Sequence, residues 1–169
     1  MGTNEPSQPY TLSCVVIAME ESLHRGRSLS LLILLAVGAC SGSPSAPPQA
    51  DQEAKRFDQP APDKGALYVY RSGIMGALRP LDVSLAGGAS AQLGYNTFIR
   101  VEGPPGQIDV ACKVGDNTTS QQIQIQDGQT RFVEVSMAAG LWAPSCEVAE
   151  VPPDQGQAAI RYSRRVEPL

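Results

Sequence analysis

Alternation of apolar and polar residues with a period of two, broken at short intervals by glycine and proline, constrains this 169-residue chain more than any other feature. In ALYVYR (66–71) Leu67 and Val69 share one face. In LDVSL (81–85) Leu81, Val83 and Leu85 point one way, and Asp82 and Ser84 the other. FIRVE (98–102) runs through GPPG (103–106) into QIDVACKV, where Ile108, Val110, Cys112 and Val114 alternate with Gln107, Asp109, Ala111 and Lys113. QQIQIQ (121–126) and RFVEVSM (131–137) follow, and Cys146 and Val148 alternate around Glu147. This period belongs to strands with one buried face. Pro105 followed by Gly106 suits a type II turn, and Asp127-Gly128 between two such runs reads as a hairpin. About seven short strands separated by turn signals predict an all-β fold, a small antiparallel β-sandwich over residues 66–169. Only PPDQGQAAIRYSRR, from Pro152 onward, points to a short C-terminal helix, with Asp154 as its N-cap and Gly156 counting against it.

The amino-terminal part obeys another rule. LSLLILLAV (29–37) has the length of a signal-peptide h-region and is shorter than the ~20 residues a membrane span needs. His24, Arg25 and Arg27 precede it as a basic flank. Val37-Gly38-Ala39-Cys40 resembles the lipobox of bacterial lipoproteins, in which the cysteine is acylated and becomes the mature N-terminus. Residues 1–39 then form the signal peptide. Since MGTNEPSQPYTLSCVVIA carries no basic residue, Met19 is a candidate for the true start, which would remove Cys14 from the product. Residues 40–65 form the lipidated N-terminus and a linker rich in Ser, Pro and Ala, with Phe57 its only large apolar side chain. That composition predicts an extended, disordered tether holding the domain away from the bilayer. Ser41, not an aspartate, follows the cysteine. By resemblance to lipoprotein sorting, this places the chain at the periplasmic face of the outer membrane, with the bilayer as partner through Cys40.

Setting aside Cys14 and Cys40 leaves Cys112 and Cys146 in an exported domain, an oxidising setting. Both fall on inward rows, and a disulfide between them is expected. Two separate buried thiols packing as small hydrophobes are the other arrangement of the same pattern.

ALYVYR, FIRVEGPPGQIDVAC and DGQTRFVEVSM together resemble a group of short bacterial lipoproteins sharing a domain of unknown function, DUF2846. That domain is similar to the PEGA and carboxypeptidase-regulatory type of β-sandwich. The resemblance spans about residues 66–151, rests on the order of the motifs, and implies an envelope-exposed sandwich without known catalytic residues. The Cys112 and Cys146 pair is not part of the resembling pattern.

The chemistry-bearing residues are few. The single histidine, His24, lies in the signal segment, which leaves the exported chain without an imidazole base or metal ligand. Two cysteines 34 positions apart do not form a four-ligand metal set, so neither metal nor cofactor is expected. A net charge of −4 carries no nucleic-acid footprint. Asp82, Asp109, Glu134 and Glu147 alternate outward as solvated charges. Asn117-Thr118-Thr119 matches a glycosylation acceptor, but VGDNTTS reads as a turn. The expected function is therefore a structural or protein-interaction module of the envelope, with other envelope proteins as partners and no catalysis. A small-ligand or glycan-binding module is the alternative, with Trp142, Tyr68, Tyr70 and Tyr95 as contact aromatics. Catalysis by outward carboxylates is the third reading. Oligomeric state is not legible in the sequence.

Overall fold

Gly65–Arg71 forms β1, and every residue of it is buried, which no one-sided strand would be. The computed structural model describes residues 42–139 and 143–169, all within one unit, Ala39–Leu169. Cys14, Met19, His24, Cys40 and Trp142 lie outside the described residues.

The remaining strands are β2 (Leu81–Leu85), β3 (Ser90–Leu93), β4 (Thr97–Gly103), β5 (Gly106–Val114), β6 (Asn117–Ile125), β7 (Thr130–Ala138), β8 (Ser145–Val151) and β9 (Arg164–Arg165). They build a five-stranded sheet, β8-β7-β1-β4-β9, facing a four-stranded sheet, β3-β2-β5-β6. The fold is thus the expected all-β sandwich. Leu67, Val69, Leu81, Val83, Val110, Ile123 and Val135 meet between the sheets. The alternation places them there: β2 buries Leu81, Val83 and Leu85 and exposes Asp82 and Ser84, as the sequence predicts.

Two turns lead elsewhere than to a neighbouring strand, one of them the expected hairpin at Asp127-Gly128. GPPG links β4 to β5 and Asp127-Gly128 links β6 to β7, yet each pair of strands belongs to different sheets. Both turns carry the chain across the sandwich. The true hairpins are β2–β3 across Gly87-Gly88, β5–β6 across Gly115-Asp116, and β7–β8. Because β7 returns to the first sheet after that crossing, no tight turn fixes its direction, and it runs parallel to β1 from Ala66↔Thr130 to Tyr70↔Glu134. β9 is also parallel to β4. The sandwich is therefore mixed, with nine strands instead of about seven. The short β3 and β9 account for the difference.

The outer face of β1 needs a third layer. Ala66, Tyr68, Tyr70, Phe98 and Phe132 form a second buried cluster beneath two helices, α1 (Pro48–Ala54) and α2 (Pro153–Arg161). α2 is the expected C-terminal helix, but Pro152 stands at its N-cap and Asp154 lies inside its first turn, near the positive end of the helix. α1 corrects the expected disordered linker. Ala54 is buried against the aromatic layer, Tyr68 donates a 2.7 Å hydrogen bond to the Ala54 carbonyl, and the Phe57 ring lies 5.7 Å from that of Tyr68. The strap upstream of α1 is pinned too. Ser45 bridges Val166, Glu167 N–H donates to the Pro44 carbonyl, and Arg165 N–H donates to Asp51. Composition predicted disorder because the linker has little apolar mass; an existing aromatic wall lets one alanine and one phenylalanine suffice.

Candidate functional site

The sulfur atoms of Cys112 on β5 and Cys146 on β8 stand 1.98 Å apart, at disulfide distance, with Cα atoms 5.9 Å apart. Both residues are buried, and the pair joins the four-stranded sheet to the five-stranded one. Inward alternation on two strands of facing sheets brought them together.

The outward carboxylates do not converge. Asp82 lies opposite Lys113 on the exposed face of the four-stranded sheet, where Gln92 Nε2 donates to it, and Asp109 lies opposite Gln122 further along the same face. Glu134 and Glu147 belong to the other sheet. Glu134 is half-buried, accepts a hydrogen bond from Ser72 Oγ, and lies beside Tyr70; Glu147 is exposed, opposite Ser136. Burial, with the Glu134 carboxylate adding to it, pushes the Tyr70 phenol up to about 12. Among the described residues, no three His, Cys, Asp or Glu side chains gather as metal ligands.

Of the proposed contact aromatics, Tyr68 and Tyr70 prove to be core residues, each about 1% exposed. The second strand face, which alternation leaves as outward, is roofed by the helices. Tyr68 OH also accepts from Arg100 Nε at 2.9 Å, and burial raises its pKa. Tyr95 is exposed, and Trp142 lies outside the described residues.

Tyr95 belongs to a surface that periodicity misses. The segment 72–80, SGIMGALRP, arches from β1 to β2, and the fully buried Arg71 holds it from beneath. The Arg71 guanidinium donates to the carbonyls of Met75, Gly76, Arg79 and Leu93 at 2.6–3.1 Å. The contacts recorded for it are backbone carbonyls, and desolvation lowers its pKa. Gly76 has φ +65°, and a Cβ there would come within 2.3 Å of Met137 Sδ, so the arch is also seated on β7. Held in this way, the arch turns Ile74, Met75 and Leu78 outward, at 77%, 52% and 103% exposure. Leu78, Tyr95 and Tyr162 border a depression of about 640 Å³ that Gly42, Ser43 and Arg164 also line. The sequence signal for this surface is apolar residues between glycines and a proline, outside any strand. For Arg71 there was none, since an arginine closing a strand reads as exposed. A second, more apolar cleft of about 410 Å³, lined by Leu67, Leu85, Val101, Pro104 and Ile108, opens at the opposite end of β1.

No helix among the described residues is long and apolar enough to cross a membrane. No family model matches the chain. It is similar to an uncharacterized protein of Haemophilus influenzae, 20% identical over 128 residues that cover 76% of each chain.

Proposed function

We propose that this chain is a lipoprotein of the bacterial cell envelope, acylated at Cys40 and held at the periplasmic face of the outer membrane. Its sandwich serves as a structural or protein-interaction module and not as a catalyst. The observation that carries this reading is the seam in the sequence: a basic flank, LSLLILLAV, Gly38-Ala39, and then Cys40 followed directly by polar chain. Several acyl chains on one cysteine would supply the stable anchoring that a single chain does not. Similarity to a bacterial protein suits the assignment. The module part rests on chemistry that is dispersed: Asp82 and Asp109 lie on one sheet, Glu134 and Glu147 on the other. Cys112 and Cys146, bridged as the geometry allows, would join the sheets in an oxidising compartment. The resemblance to the DUF2846 type of domain points the same way, and the outermost strands β6 and β8 offer edges for backbone pairing with a partner.

The test is Cys40→Ala in cells fed a clickable fatty acid. Loss of label together with accumulated precursor is expected; label that persists on the variant refutes acylation at Cys40. For the module, Asp82→Asn, Asp109→Asn and Glu147→Gln should each leave the cellular phenotype and the domain's stability intact. One such change that abolished function without unfolding the domain or releasing a partner would mean a catalytic carboxylate.

A further inference from the structure

We infer that the end of the sandwich carrying Ile74, Leu78, Tyr95 and Tyr162 rests on the bilayer that holds the Cys40 anchor. The inference builds on the acylation proposed above and adds an orientation to it.

The first support is where the chain enters the fold. Gly42 and Ser43 line the same depression as Leu78, Tyr95 and Tyr162. Ser43 Oγ accepts the Gln92 N–H at 2.9 Å, so the strap is held from its third residue after Cys40. Cys40 precedes Gly42 by two residues, and two Cα–Cα steps of ~3.8 Å span at most about 8 Å. A lipid-bearing cysteine on so short a lead brings this end of the domain to the membrane, whereas a tether running to residue 65 would not.

The second support is where the apolar surface lies. Of the six large apolar side chains exposed among the described residues, Ile74, Met75, Leu78, Tyr95 and Tyr162 are at this end, and only Leu169 lies elsewhere. Arg71 fixes the arch through its carbonyls, so these side chains are displayed by a built loop. Their chemistry suits an interface: two tyrosines with apolar bodies and polar tips, and aliphatic side chains between them. Arg79 on the arch and Arg164 in the depression are exposed beside them, placed to meet lipid phosphates. Acids are near as well: Asp51 is paired with Lys55 at 2.7 Å, Glu134 accepts a hydrogen bond from Ser72 at the foot of the arch, Glu147 lies opposite Ser136, which sits beside Gly73, and Asp116 occupies the β5–β6 turn of the opposite sheet.

The test uses the full chain made in bacteria, with a photoreactive benzoylphenylalanine at Leu78 or Tyr162, and at Gln124 on the exposed face of β6 as the distant control. Illuminated membranes are analysed by mass for phospholipid and protein adducts, and acylation of the Cys40 peptide is measured in the same material. Phospholipid adducts at Leu78 and Tyr162, several-fold above those at Gln124, are the expected result. An acylated chain with only protein adducts at those sites means that a protein covers this end and overturns the orientation while leaving the anchor standing. An acylated chain whose two sites give no more lipid adduct than Gln124 overturns it in the same way. A Cys40 peptide without acyl groups overturns both.

Discussion

Arg71 shows how much one side chain can organise. A buried guanidinium is costly where its donors are idle; Arg71 Nη1 and Nη2 donate to the carbonyls of four residues, three of them in the arch over 72–80, while its Nε is buried without a partner. Arg71→Met keeps much of the apolar stem and removes the donors, leaving those carbonyls unanswered. A loss of about 2–4 kcal/mol in denaturant unfolding is expected, with proteolysis directed into residues 72–80. Tyr70 supplies a pH dependence. Its phenol titrates near 10 in an unfolded chain and at about 12 in the fold, so above pH 10 the unfolded state releases a proton that the native state keeps. Stability is therefore constant with respect to this group below pH 10 and falls as pH rises from 10 toward 12. Tyr68, also raised, adds to the same slope. Urea titrations across that window should show the decline, and Tyr70→Phe should make it shallower; a slope the variant leaves unchanged would assign the alkaline loss to other groups.

At the scale of elements, helix docking is decided by absent atoms. Gly156 on α2 lies so close to β7 that an added Cβ would come within 2.5 Å of the Phe132 side chain near its base. Alanine favours a helix over glycine by about 1 kcal/mol, whereas overpacking of this kind costs about 1–3 kcal/mol. Gly156→Ala should therefore destabilise the domain, by about 1–2 kcal/mol in thermal or urea unfolding, against what helix propensity alone predicts. The elements legible in the sequence are those ruled by one-sided burial: β2 and β5 follow their alternation residue by residue, and β8 does so from Ser145 to Val148. What was not legible depends on a second layer. β1 is buried on both faces, so its tyrosines read as exposed contact residues until the helices covering them are known. α1 has seven residues and little apolar content, and it exists because the aromatic wall is already there. The two glycine turns announced reversal correctly but not which sheet the next strand would join, because a local turn signal carries no information about partners at long range. Of the candidate surface, the cysteine pair was legible through the inward rows. The apolar arch was not, since a loop without period gives alternation nothing to act on.

For the whole molecule, the decisive link is between the sheets. Cys112 and Cys146 are 34 positions apart in sequence. Closing a loop of that size removes about 3.5–4 kcal/mol of denatured-state entropy in the chain-entropy model. In oxidised protein the intact mass should be two hydrogens lighter than the reduced chain, and reduction should lower the melting temperature by roughly 10 °C. Two thiols that alkylate freely in native, oxidised material would show that the sheets are held by packing alone. The closure between Ser45 and Val166 has a different consequence, one of timing. The strap upstream of α1 is completed by residues 165–167, which are synthesised long after it. If the chain is exported amino-terminus first, that strap must wait, undocked, until residues 165–167 have crossed. Under the proposed acylation, processing enzymes would then act before the strap has docked, and the folded body would be drawn to its final seat only when residues 165–167 arrive.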